Sequence, residues 1–72
     1  MIQEILIMGG NMDFSEKVKK VREKLMLSQE DLAKQIGVSR ITITRWESQG
    51  AHPKFLALKK FETFCKNKGI NF

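Results

Sequence analysis

Apolar positions along this chain fall into short helical stripes separated by capping and turn residues. Phe14, Val18, Val21 and Leu25 recur at four-three-four spacing, the core stripe of an amphipathic helix. Asp13 stands before that stripe with Glu16 three residues on, a helix start of the capping-box kind. Met26 and Leu27 make the turn into a second helix over about 29–36. Ser28 is its cap, Asp31 completes the box, and Leu27 can meet Leu32 as a hydrophobic staple. Gly37 stands where that helix must end, a position that favours a left-handed residue without a Cβ. The same grammar then repeats. Ser39 caps a third helix over about 39–48, with Val38 and Ile43 as the staple. Ile43 and Trp46 share one face of it. Ala33 is small enough to let the third helix cross the second closely.

The second half continues with a loop, Gln49-Gly50-Ala51-His52, and a fourth helix. Pro53 suits the first position of that helix, and Leu58, Phe61 and Cys65 mark its buried side. Phe55 and Leu56 are expected to pack near its start, and Gly69 to end it. Met1 to Asn11 is different. Ile5-Leu6-Ile7-Met8 is apolar but too short to span a membrane, and Gly9-Gly10-Asn11 breaks any element. Residues 1–12 therefore read as a leader, a tail or a start-site artefact, with a strand as the alternative. The domain proper is 13–72. The fold expected is all-α, a compact bundle of four to five short helices.

Composition narrows the function. Of 72 residues, 42% are hydrophobic and 29% charged, which fits one small globular domain and not a disordered chain. The net charge of +5 is unevenly placed. Residues 1–38 carry six basic and six acidic side chains, and residues 39–72 carry seven basic and two acidic. That excess coincides with the third helix and suits a polyanion. A single cysteine cannot form an internal disulfide, which fits a reducing cytoplasm; Cys65 is read as core. One Cys and one His cannot build a structural zinc site, so no metal is expected. No nucleophile–base set, glycine-rich phosphate loop or carboxylate pair in a cleft-forming context appears, so an enzyme is not expected, and neither a cofactor nor a small-molecule ligand is evident.

The segment Ser28 to Ser48 carries a family resemblance. Gln29, Ala33, Gly37, Ile43 and Trp46 stand at the spacing of the helix-turn-helix of the lambda-type repressor and Cro superfamily, the xenobiotic-response-element class. Arg22 and Glu47 match the family's internal ion pair, and Pro53-Lys54-Phe55-Leu56 resembles the start of its fourth helix. The likeness covers roughly Phe14 to Cys65. Trp46 is larger than the aliphatic residue often found there, and Cys65 to Phe72 stretches the usual apolar finish.

From the residues, Arg40 and Arg45 are candidates to read bases, because an arginine fork can donate two hydrogen bonds to guanine O6 and N7. Ile41 suits a thymine methyl, and Thr44 a base edge or a phosphate. Gln29, at the start of the second helix, can donate to a phosphate. Ser39 divides between capping and phosphate contact. The resemblance assigns base contacts to Arg40, Ile41 and Arg45, and phosphate contacts to Gln29 and Lys54. It implies sequence-specific binding of double-stranded DNA by the helix over 39–48 and transcriptional regulation; repression by occluding a promoter is the simplest mechanism, and because one helix reads only a few base pairs a homodimer on two half-sites is expected. The first alternative is an antitoxin-like or antirepressor interaction module on the same fold; the second is a non-specific nucleic-acid binder working by charge alone.

Overall fold

The computed structural model describes residues 13–48 and 50–71. The leader over 1–12, expected to be a tail or a strand, lies outside the described residues. Among the described residues four helices follow one another: α1 (Phe14–Leu25), α2 (Gln29–Ile36), α3 (Arg40–Trp46) and α4 (Phe55–Asn67).

Three of the four starts are set by the caps in the sequence. Asp13 accepts from the Glu16 amide at 3.0 Å and from the Ser15 hydroxyl at 2.9 Å. Ser28 accepts from the Asp31 amide at 3.0 Å, and Ser39 from the Thr42 amide at 3.1 Å. Each of the three amide bonds satisfies an N–H that the first helical turn leaves without a partner. Gly37 ends α2 at φ 94°, and its N–H reaches the Ala33 carbonyl at 2.8 Å. The end of α1 is less orthodox. Met26 takes the left-handed conformation at φ 56°, where a side chain is disfavoured. There the Leu27 N–H bonds the Arg22 carbonyl at 2.9 Å, and the Met26 side chain stands in solvent.

The core joins all four helices. Val18 and Val21 of α1, Leu32 of α2 and Ile43 of α3 are fully buried, with Ala33, Ile36, Trp46, Phe61, Phe64, Cys65 and Ile70 beside them. Phe14, Trp46 and Phe61 meet edge to face, with ring centres 5.3, 5.2 and 6.0 Å apart. This is the favoured geometry for aromatic pairs, and it fastens α1, α3 and α4 together.

The fourth helix departs from expectation. It begins at Phe55 with Lys54 as its cap residue and no side-chain cap bond, so Pro53 precedes the helix instead of opening it. Phe55 and Leu56 do not pack inward; they are 70% and 73% exposed. Leu58 is only half-buried, and Phe64 joins Phe61 and Cys65 on the inner side. After Asn67 the chain folds back: the Ile70 N–H bonds the Cys65 carbonyl at 2.9 Å and the Ile70 side chain closes the core. The third helix is also shorter than 39–48, running from Arg40 to Trp46 with Glu47 as its C-cap.

Candidate nucleic-acid interface

Helix α3 is only seven residues long, too short to hold itself together in water. Its partners hold it instead. Ile43 and Trp46 anchor its inner face against α1, α2 and α4. Arg40, Ile41, Thr44 and Arg45 are left on the outer face, all exposed, with Ile41 at 56%. With about 100° between successive residues, these four fill one continuous arc opposite Ile43 and Trp46. An isoleucine more than half in water between two arginines has no packing role to explain it.

Behind that arc lies a polar network. Arg22 donates from Nε to Glu47 Oε2 at 2.6 Å and from Nη2 to Oε1 at 3.1 Å. Its Nη1 lies 3.4 Å from the Leu27 carbonyl. Glu47 Oε1 also accepts from Gln29 Nε2 at 3.0 Å, and Gln29 Oε1 accepts from the Thr44 hydroxyl at 3.0 Å. Burial by itself would raise the Glu47 carboxyl; the hydrogen bonds from Arg22 and Gln29 outweigh it and hold the group below its ordinary value. The hydrogen bond to Glu47 likewise raises Arg22. The network ties α1 to the end of α3 and the start of α2 to the middle of α3.

Of the residues singled out in the sequence, the fold brings Arg40, Ile41, Thr44 and Arg45 onto one surface, with Gln29 beside it through Thr44. Ser39 is engaged at the head of α3, where its hydroxyl also lies 2.9 Å from that of Thr42. Lys54 stands exposed at the head of α4, across a groove from Arg45, Thr42 and Trp46. The link from Glu47 through Gln29 to Thr44 was not legible in the sequence. These residues are 18 and 15 positions apart, and no local pattern couples them. Among the described residues no cluster of His, Cys, Asp and Glu could hold a metal ion, and no helix is long and apolar enough to cross a membrane.

Two capped helices joined at a left-handed glycine, the second presenting arginine outward, define a helix-turn-helix. The helix-turn-helix family profile matches residues 18–68, and the chain belongs to that family, in its lambda-repressor-type, DNA-binding class. The chain is 42% identical over 53 residues to the HTH-type transcriptional activator BcrR of Enterococcus faecalis. That match covers 74% of this chain and 26% of the relative, so the chain spans about a quarter of the relative's length. No solved structure matches significantly.

Proposed function

We propose that this protein binds double-stranded DNA sequence-specifically in the cytoplasm, as a transcriptional regulator and not as an enzyme. Helix α3 enters the major groove. Arg40, Ile41, Thr44 and Arg45 meet base edges, and Gln29, Ser39 and Lys54 meet phosphates. The observation that carries this reading is the outer arc of α3, where two arginines flank an exposed isoleucine on a helix braced from behind. The basic excess of residues 39–72 supports it by drawing a polyanion to that half of the chain. One short helix reads few base pairs, so the reading includes a homodimer on two half-sites about 34 Å apart.

Repression follows wherever the bound site overlaps a promoter. The relative named as an activator favours a second reading, activation from a site beside a promoter. Selection of bound sequences from a random duplex pool tests the proposal. One enriched motif with two-fold symmetry is expected. Binding that any DNA competes away equally would leave only charge attraction and overturn it.

A further inference from the structure

We infer that Thr44 meets DNA as a hydrogen-bond acceptor, so that its contact is the exocyclic amine of an adenine or a cytosine. The inference rests on α3 being the helix that reads the major groove. It follows from where the protons lie along the network behind that helix.

The network begins at Glu47. Its carboxylate, held ionised by Arg22, can only accept hydrogen bonds. Glu47 Oε1 lies 3.0 Å from the Gln29 amide. Chemistry then fixes which way that amide points, since the opposite orientation would set its oxygen against a carboxylate. Gln29 therefore gives an N–H to Glu47 and turns its oxygen toward Thr44. Among the described residues the Thr44 hydroxyl has two neighbours, Gln29 Oε1 at 3.0 Å and the Arg40 carbonyl at 3.2 Å. Both are acceptors. A hydroxyl has one proton, and whichever neighbour takes it, the proton points into the protein. Only oxygen lone pairs remain for the groove.

That polarity discriminates among what DNA offers. Phosphate oxygens, thymine O4, guanine O6 and purine N7 all accept, and none can satisfy a lone pair. The donors in the major groove are adenine N6–H and cytosine N4–H. Of the two roles open to Thr44 in the sequence, base edge or phosphate, the network selects the base edge. Gln29 keeps one amide hydrogen for a phosphate, so both residues can act together.

The test begins with sites selected by the parent protein, Thr44→Val and Thr44→Ser, each first shown by circular dichroism to melt as the parent does. Valine keeps the shape and lacks the oxygen. We expect Thr44→Val to lose preference at one base pair while Thr44→Ser keeps it. At that pair, N6-methyladenine or N4-methylcytosine, which blocks the groove-side hydrogen, should cost the parent roughly three- to tenfold, the worth of one neutral hydrogen bond. The same change should cost Thr44→Val nothing. A 7-deaza purine there, which removes N7, should leave the parent unaffected. The inference is overturned if Thr44→Val keeps every preference. It is overturned equally if the 7-deaza base is the one that costs affinity, or if replacing thymine by uracil removes the effect, which would mean a methyl contact. Enrichment of no motif by the parent would instead overturn the DNA-reading function itself, a separate outcome.

Discussion

Arg22 of α1 holds Glu47 at the end of α3 by two hydrogen bonds, at 2.6 and 3.1 Å. The glutamate side chain is 7% exposed and the arginine 27%. The pair is thus buried at the acid and wet at the base. Desolvating two charges offsets much of their attraction, and the larger energetic fact is what happens when one partner leaves. Glu47 also receives Gln29, so its removal strands a cation and an amide together.

Glu47→Ala should therefore destabilise the fold by about 2–3 kcal/mol, below the ~3–5 kcal/mol of a fully buried pair because Arg22 reaches water. Removing Arg22 as well should recover part of the loss. A denaturant double-mutant cycle measures this coupling. Strictly additive losses would show that the two side chains do not support each other.

Acid should weaken the protein through the same residue. Glu47 and Asp13 both have carboxyls held below their ordinary values, Glu47 through Arg22 and Gln29 against its own burial, Asp13 chiefly by the Glu16 amide. A carboxyl depressed on folding contributes stability that is complete above its unfolded pKa, about 4.3 for Glu and 3.9 for Asp, and is lost as pH falls below it. Stability measured in urea should hold from about pH 7 down to about 5 and fall below about 4. Glu47→Gln should flatten that acid limb. An unchanged limb would place the titrating groups elsewhere.

Arg45→Ala should cost about 1–3 kcal/mol at one base pair and relax preference there. Its support is the exposed position beside Ile41 and Thr44 on α3. Titrations against the selected site and its single-base variants read this directly. An affinity and a preference both equal to the parent's would remove Arg45 from the reading set.

Lys54→Ala should act differently. At the exposed head of α4, a lysine on a phosphate carries no base information, so every sequence should weaken alike. The dependence of log K on log salt should lose about one unit of slope. Parent-like salt dependence would place Lys54 away from the backbone.

Cys65 is buried, and its thiol is pushed up to about 11, first by burial and then by Glu62. Thiolate is the reactive form, and near neutral pH there is almost none. Alkylation of the native protein should be slow and should accelerate with denaturant in step with unfolding. Rapid labelling under native conditions would show that α4 opens locally at little cost.

What the sequence determined by itself is local. Asp13, Ser28 and Ser39 set three helix starts because a short polar side chain followed by free amides has one good partner, a few residues away. Gly37 marked the turn for the same local reason, and the Arg22–Glu47 pair was readable through family resemblance. Met26 shows the limit of local reasoning. Nothing in its side chain favours a left-handed backbone, and the turn is held by neighbouring carbonyls and by what α1 and α2 bury together. Tertiary packing also decided α4. Phe55 and Leu56 have the composition of core residues, yet the helix axis points them into solvent and turns Phe64 inward, with Ile70 closing the core behind it. The network from Glu47 through Gln29 to Thr44 belongs to the same class. Spacing along the chain cannot show which side chains meet between two helices, and it is that meeting which directs the Thr44 proton inward.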